Sequence, residues 1–370
     1  MPSINNILAA YSKIKHFILT KDFYLSIVVA VIVISCGVFL GWYNNKIVLT
    51  NPSVIAHYNQ EQTNPLSFLS NWDGPDYLNI EQNSYTSATQ ANFFPLYPLI
   101  ARIINMVISS PLNSALAVSW LSFVGVIYFY LKIVKFLFKI TDNMEAIKGL
   151  LFFILFPTAV FFLATYTESL FAFLSLGAIY SALRKKYLVA ALLLMLVTAT
   201  HVTGIFVLAL LAMILLEQKA KIKTFAGTII VGSLGLLGYI LFLKVNFNKP
   251  LAFITSQVSN HGWLQHGFSN LLTTVDFLNL IFIILLIITA IYWWNRKRSF
   301  SIYSLLFILI PLVGKQFGGF NRYVLMAFPL ELMLYGYLRD KKLGYTFALI
   351  VTSVVWTYFL FQYAGGYIGG

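Results

Sequence analysis

The chain has 370 residues, of which 59% are hydrophobic and only 10% are charged, and its mean hydropathy is +0.80. A soluble protein of this length cannot bury so much apolar surface, so the composition excludes a soluble globular fold and indicates an all-α polytopic membrane protein. The formal net charge is +13. Because the cations form short clusters between apolar segments, as in cytoplasmic loops, we expect membrane lipids and no nucleic acid as partners.

The first apolar segment, 23–43, follows Lys13, Lys15 and Lys21. It is too long for the core of a signal peptide and lacks a small-residue cleavage site, which predicts a retained signal anchor with its N-terminus inside. The single cysteine, Cys36, lies within this segment, so no intrachain disulfide can form.

Transmembrane helices need roughly 17 to 25 apolar residues, and fewer where neighbouring helices bury a polar end. About eleven segments qualify, which predicts one transmembrane domain over residues 1–370. The predicted spans are 23–43, 113–138, 147–165, 167–183, 187–200, 202–217, 225–243, 275–294, 300–314, 322–338 and 343–363. The two longest loops, 44–112 and 245–274, then lie outside.

The segment 93–108 is also apolar, but it contains two prolines and Arg102. If it does not cross, 19 of the 25 Lys and Arg residues lie on the inner side, as the positive-inside rule requires. If it crossed, every later cluster would change side. We therefore predict an interfacial or re-entrant helix on the outer leaflet, within the first external loop.

This topology gathers most of the unusual polar residues on the outer face. They are Asp73, Asp76, Glu81, Glu168, His201, His261, His266, Lys315 and Arg322. Ionisable groups at a bilayer surface are costly unless paired, so they are candidates for a functional site.

Trp72-Asp73-Gly74 lies in the first external loop, with Asp76 and Tyr77 just after it. A turn is expected at Gly74-Pro75, and it would leave the Asp73 carboxylate near the membrane surface as a candidate general base. The alternative is that Asp73 caps a short helix starting near Pro75.

Phe93-Phe94-Pro95-Leu96-Tyr97-Pro98 follows in the same loop. Aromatic residues at this spacing suit anchoring at the headgroup level, and Tyr97 is also a candidate for substrate binding. Arg102, one turn later, could pair with a lipid phosphate or extend to the interface.

Tyr166-Thr167-Glu168-Ser169 forms a tight external hairpin between two predicted spans. Glu168 is a candidate catalytic acid, and the alternative is a helix start with Thr167 as its cap. His201 marks the next external turn, where it could donate to a phosphate or cap a helix.

Lys315 and Arg322 flank a Gly-Gly pair on the cation-poor outer side, which is consistent with a phosphate clamp; snorkelling anchors are the alternative. The spacing of His261 and His266 does not match a helical metal pair, and no cysteine accompanies them, so no metal ligand is assigned.

Three of these motifs together resemble the PIG-V-like mannosyltransferases, which belong to the GT-C class of polytopic glycosyltransferases. They are Trp72-Asp73-Gly74 with Tyr77, the block Phe93-Phe94-Pro95-Leu96-Tyr97-Pro98, and Tyr166-Thr167-Glu168-Ser169-Leu170-Phe171. They occur in the order typical of that family, and the second block is the most specific.

The resemblance implies inverting transfer of mannose from a polyprenyl-phosphate donor to a lipid, glycan or protein acceptor outside the cytosol. It implies Asp73 as the base, Glu168 as the hairpin acid, and Arg322 with Lys315 as the late basic group. Substrate contacts are expected from the remaining candidates, which are Trp72, Asp76, Tyr77, Tyr97, Arg102 and His201. His201 departs from the family pattern, which has an arginine nearby.

The rival classes are a flippase for a lipid-linked saccharide and a non-catalytic subunit of a glycosylation complex. A transporter would favour charged or broken sites at mid-bilayer, whereas the acids of this chain cluster at one surface. The compact loops suggest a prokaryotic cytoplasmic membrane. No cofactor beyond the lipid-linked donor is expected, and the need for a divalent metal is left open.

Overall fold

A computed structural model of the chain describes residues 20–47, 64–261, 276–314, 317 and 319–368. Within these ranges the chain forms α-helices and three short 3₁₀ helices and has no β-strand, so the predicted all-α class is confirmed. The α-helices are α1 Lys21–Ile47, α2 Gly74–Asn83, α3 Leu96–Ile108, α4 Pro111–Phe138, α5 Asn143–Ile154, α6 Glu168–Leu183, α7 Tyr187–Thr198, α8 Gly204–Glu217, α9 Ile222–Phe247, α10 Ala252–His261, α11 Phe277–Trp294, α12 Arg298–Leu306, α13 Leu309–Gly314, α14 Phe320–Val324, α15 Pro329–Leu338 and α16 Lys342–Ala364. The 3₁₀ helices are Ser67–Ser70, Ala88–Asn92 and Ala159–Phe162.

Five helices of the described part are long and apolar enough to cross a membrane: α1, α4, α9, α11 and α16. The other six predicted spans coincide with shorter helices, either single or in consecutive pairs. The predicted segments therefore correspond to helices in position and order. Five of these helices have the length and composition that a membrane crossing needs.

Proline accounts for two of the divided segments. In the predicted span 147–165, α5 ends at Ile154, shortly before Pro157, and the chain resumes as the 3₁₀ helix Ala159–Phe162. Proline lacks an amide hydrogen and its ring clashes with the preceding turn, so a helix cannot continue through it without distortion. In the predicted span 322–338, Pro329 occupies the first turn of α15, where its missing donor costs nothing.

The sharp connection between α3 and α4 follows from Ser109-Ser110-Pro111. Ser109 adopts a left-handed conformation and ends α3, and the Ser110 hydroxyl accepts a hydrogen bond from the Asn113 amide at the start of α4. Pro111 occupies the first turn of α4. This connection turns the first external loop back onto the 28-residue helix α4, against which α3 packs.

Helix α4 is the element on which the site is assembled, because α1, α3 and α6 all pack against it. In the C-terminal part of the helix, Lys132 and Lys135 each contact one carboxylate oxygen of Asp22 on α1. At the other end, the Ser119 hydroxyl donates to the Ala164 carbonyl, which lies just before α6. The segment leading into Glu168 is thereby fixed to α4.

Candidate active site

Asp73 lies in a tight turn immediately before α2. The turn falls at Trp72 and Asp73 rather than at Gly74-Pro75, which instead begin the helix. Trp72 has φ 60°, a left-handed conformation that is rare and strained for a bulky residue. The Asp73 side chain makes no capping hydrogen bond to α2, so its carboxylate remains available for the site.

Position 74 requires glycine because the side chains of Thr165 and Ser70 lie against it, and not because its backbone has a positive φ. A Cβ atom at this position would lie 2.5 Å from Thr165 Oγ1 and 2.7 Å from Ser70 Oγ. This contact brings the Asp73 turn against the hairpin that carries Glu168, and the backbone confirms it, because the Thr165 amide donates to the Leu69 carbonyl at 2.9 Å. Two segments almost a hundred residues apart are joined at this point.

Glu168 is the first residue of α6 and is 4% exposed. Thr167 precedes it at the cap position but makes no side-chain capping hydrogen bond. A buried carboxylate is expensive unless a cation or a hydrogen-bond donor compensates it. Glu168 Oε1 lies 3.3 Å from Arg322 Nε, whereas Oε2 has no hydrogen-bond partner among the residues that the structure describes.

Arg322 on α14 joins the two acids. Its Nη1 atom donates to Asp73 Oδ2 at 2.7 Å, while its Nε atom faces Glu168. The guanidinium also lies 5.3 Å from the ring centroid of Tyr166 and 5.4 Å from that of Tyr323. One desolvated cation between two carboxylates and two aromatic rings is a strong, geometrically defined charge cluster.

His201 lies beside this cluster, with its ring 5.6 Å from the ring of Tyr323. Its Nδ1 atom accepts the amide hydrogen of Thr203 at 3.2 Å, so it caps the turn that starts α8, one of the two predicted roles. Burial and the nearby Arg322 lower the pKa of His201 to about 3. The ring is therefore neutral, with its proton on Nε2, and it can donate a hydrogen bond but brings no positive charge.

The lowered pKa of His201 predicts a pH-dependent loss of stability. Because the folded value lies below the unfolded value of about 6.5, the stabilising contribution is present above about pH 6.5 and is lost as the pH falls towards 3. In His201→Asn, an amide oxygen keeps an acceptor for Thr203 but does not titrate. We expect the wild-type melting temperature to fall more between pH 7 and pH 5 than that of His201→Asn, and parallel curves would contradict this assignment.

The other candidate residues take varied positions. Tyr77 is buried, with its ring 6.4 Å from that of Tyr166, and Asp76 is exposed in the first turn of α2. Tyr97 is fully buried and its hydroxyl contacts the Ala115 carbonyl and Ser119, which gives it a packing role. Substrate contacts by these three residues stay predictions.

Arg102 closes the carboxyl end of α2. Its guanidinium donates to the carbonyls of Ile80 and Glu81 and to the Ser84 hydroxyl. Arg102 thus caps the helix, because the last carbonyls of a helix lack partners within it. A phosphate contact by Arg102 stays a prediction, and Lys315 lies outside the described residues.

Two cavities adjoin the site. A small one of about 10 Å³ lies between Glu168, His201, Arg322 and Tyr323, close to the space that one water molecule needs. A larger groove of about 510 Å³ lies between α2, α3, α7 and α9. Its walls are mainly apolar, and it reaches Pro95 and Ala199. The amide of Leu96, the residue after Pro95, donates a 3.2 Å hydrogen bond to the Ala199 carbonyl.

Sequence reasoning missed the tyrosines that organise the cluster. Tyr166 contacts both the Asp73 turn and Arg322, and Tyr323 contacts Arg322 and His201. Each is the direct neighbour of a motif residue already selected, but an aromatic residue in so apolar a chain carries no distinguishing pattern. Only the tertiary contacts reveal these two.

Comparison with known proteins gives a family match. The model of the family described as mannosyltransferase (PIG-V) matches residues 14–229, which include Asp73, Glu168 and His201 but not Arg322. Two similar proteins are both named GPI mannosyltransferase 2. The protein from Drosophila pseudoobscura pseudoobscura is 29% identical over 129 residues, 33% of this chain and 28% of its own length. The protein from Drosophila melanogaster is 29% identical over 119 residues, 30% and 26% respectively. The chain thus spans little more than a quarter of the length of these relatives.

Proposed function

Because the chain belongs to the PIG-V mannosyltransferase family, we propose that it is a membrane-embedded glycosyltransferase that transfers mannose from a polyprenyl-phosphate donor to an acceptor on the extracytoplasmic face. The observation that carries the proposal is the convergence of Asp73 and Glu168 on Arg322. The family match supplies the reaction class, and this cluster supplies a base and a cation at one place.

The proposed membrane placement retains eleven crossings, with the shorter helices spanning as packed groups. Helix α3 would lie at the outer interface. It exposes Leu99, Ile103, Met106 and Val107, the last two at more than 80% of their surface, and such residues favour lipid over water. Trp72 and Asp73, both partly exposed, would then face the extracytoplasmic side at the membrane surface. The prokaryotic location stays a prediction.

In the proposed reaction, an acceptor hydroxyl attacks the anomeric carbon of the donor sugar. Its proton passes to the Asp73 carboxylate, a new carbon–oxygen bond forms, and the bond from the anomeric carbon to the phosphate oxygen breaks with its electron pair. The polyprenyl phosphate leaves as a monoester with one more negative charge than it carried in the donor. The configuration at the anomeric carbon inverts because the displacement is direct.

Arg322 would stabilise this extra charge. It is held by Asp73 at 2.7 Å in the resting state, and protonation of Asp73 during the reaction weakens that ion pair. The guanidinium then becomes available to the departing phosphate at the stage when charge develops on it. Interactions that strengthen in the transition state in this way contribute most to catalysis.

The 510 Å³ groove suits the hydrocarbon chain of a donor. Helix α9, one of the five helices long and apolar enough to cross a membrane, forms one wall with Leu234, Gly235, Gly238, Tyr239 and Phe242. Ala199 lines the groove and lies two residues before His201, which lines the small cavity, so a donor whose chain occupies the groove would extend past Ala199 to bring its phosphate to the charge cluster. The groove's volume lies within the range typical of small-molecule sites.

Filling the groove is expected to weaken donor binding. A Cβ atom at Gly238 would meet no atom of the described residues within 4 Å, so we expect the fold to accommodate Gly238→Trp while its ring occupies the groove. Excluding two or three methylene groups costs about 0.8 kcal/mol each, which predicts a roughly tenfold or larger rise in KM for the donor.

Gly227 on the same helix provides the matched control. It has the same open surroundings but does not line the groove. Gly227→Trp should keep the wild-type KM, and both variants should keep the wild-type melting temperature. Equal donor KM values for the two variants would remove the groove from the proposal.

The proposal as a whole is tested by reconstituting the purified chain in liposomes with labelled polyprenyl-phosphate mannose and total membrane lipids. Appearance of label in a new acceptor supports the glycosyltransferase. Movement of labelled donor across the bilayer without transfer would instead indicate a flippase, and neither activity would indicate a non-catalytic subunit.

A further inference from the structure

Tyr166 bridges the two residues that flank the strained Trp72. Its hydroxyl accepts the amide hydrogen of Asp73 at 3.1 Å and donates to the Asn71 carbonyl, also at 3.1 Å. Tyr166 is fully buried. The Tyr166 hydroxyl therefore reinforces the turn that holds Trp72 at φ 60°, which the Gly74 amide also closes by donating to the Asn71 carbonyl at 3.2 Å. Of these two contacts, only that of Tyr166 reaches the backbone of Asp73 itself.

The ring of Tyr166 contacts Arg322, the cation of the Asp73–Arg322 ion pair. Its centroid lies 5.3 Å from the guanidinium carbon of Arg322, within the range of a cation–π interaction. The ring is supported in turn by Phe161, at a centroid distance of 5.0 Å. Tyr166 thus contacts both halves of the Asp73–Arg322 pair, the backbone of one and the charged group of the other.

We infer that Tyr166 is a positioning residue for the transfer reaction: its hydroxyl aims the Asp73 carboxylate, and its ring holds the Arg322 guanidinium in line with it. This inference rests on the proposed function for its catalytic consequence. The residue does not itself exchange a proton with substrate, because its hydroxyl is engaged on both sides by the backbone of the loop.

Tyr363, at the end of α16, offers a matched control. It is also fully buried, and its hydroxyl donates to the backbone of the same loop, at the Leu69 carbonyl 3.1 Å away and, at the longer distance of 3.5 Å, at the Asn71 carbonyl. Its ring packs against Phe161 and Tyr166. Its described contacts do not include Asp73 or Arg322. Tyr166→Phe and Tyr363→Phe each remove one buried hydroxyl that contacts the backbone of the loop before α2. Only Tyr166→Phe removes the hydrogen bond to the Asp73 amide.

The first readout is kinetic. Tyr166→Phe should lower kcat by roughly tenfold with little change in KM for the donor, because an aiming defect acts on the chemical step. Tyr363→Phe should keep kcat within about twofold of wild type, and the two variants should lose a similar amount of thermal stability. If both variants lose the same fraction of kcat, Tyr166 is a packing residue and the inference is wrong, while an inactive Asp73→Asn would still support the proposed function.

The second readout does not need transfer activity. A hydrophobic carbodiimide modifies accessible carboxyl groups, and the Arg322 guanidinium, 2.7 Å from Asp73 Oδ2, shields this carboxyl group from the reagent. Peptide mass spectrometry should show faster modification of Asp73 in Tyr166→Phe than in wild type or Tyr363→Phe. Equal rates in all three proteins would overturn the inference even if the wild-type chain transferred no sugar.

Discussion

Replacing Asp73 with Asn is expected to lower the rate of mannosyl transfer by roughly 10²–10⁴-fold, the contribution typical of a general base. Asn has nearly the same shape, and its amide oxygen can still accept the hydrogen bond that Arg322 Nη1 now donates to Asp73 Oδ2. The side chain makes no cap to α2, so the start of that helix is unaffected. Loss of the proton acceptor should therefore appear in kcat, with little change in donor KM. The melting temperature should fall less than in a variant that lacks Arg322, because Arg322 keeps Glu168 as its partner.

Asp340→Asn is a suitable control for this experiment. Asp340 is a largely exposed acid after α15, paired only with its neighbour Arg339 at 3.5 Å among the described contacts. Surface pairs of this kind contribute little, so the control should retain wild-type kinetics and stability. Full turnover by Asp73→Asn would remove Asp73 from the role of base.

Replacing Arg322 is expected to affect both activity and stability. Arg322→Gln leaves the buried Glu168 carboxylate and the Asp73 carboxylate without their shared cation, and breaking a buried ion pair from one side costs about 3–5 kcal/mol. Loss of a preorganised group that stabilises developing charge lowers kcat by roughly 10²–10³-fold. We therefore expect a large fall in both the transfer rate and the melting temperature.

A second substitution separates the two effects. Adding Glu168→Gln to Arg322→Gln removes the uncompensated buried charge, so the melting temperature should recover much of its loss. Transfer should stay low, because the cation that faces the departing phosphate is still missing. If transfer returned together with stability, Arg322 would be a structural residue only.

The helices were predictable because hydropathy is a local property. All eleven predicted segments coincide with helical structure, and the segment 23–43, predicted as an anchor, lies within α1. Their lengths were less predictable. The prediction carried 147–165 through Pro157, whereas the missing amide donor of proline ends α5 at Ile154 and leaves a 3₁₀ helix in place of a long span.

The site was only partly predictable. Counting cations on each side was sufficient to assign Asp73, Glu168 and Arg322 to one face. It could not show that Arg322 pairs with Asp73 across 249 positions of sequence, since that distance depends on how α4, α6 and α14 pack. The capping of α2 by Arg102 was not predicted for the same reason, because no local pattern reveals it.

The left-handed conformation of Trp72 shows most clearly what local sequence patterns cannot predict. A bulky residue has no intrinsic preference for this conformation, and a turn was expected two residues later, where Gly and Pro favour one. The turn is instead imposed by contacts from a distant segment, chiefly by Tyr166. Strain of this kind persists only where surrounding structure outweighs its cost, and here it adjoins the proposed base.

The central claim is that an acceptor hydroxyl, deprotonated by Asp73, displaces the lipid phosphate in one step. The most direct test is the anomeric configuration of the product formed by the reconstituted chain from β-linked polyprenyl-phosphate mannose. Direct displacement predicts an α-linked mannose in the product. A β-linked product would mean that a carboxylate attacks the sugar first, and it would contradict the assignment of Asp73 as a base.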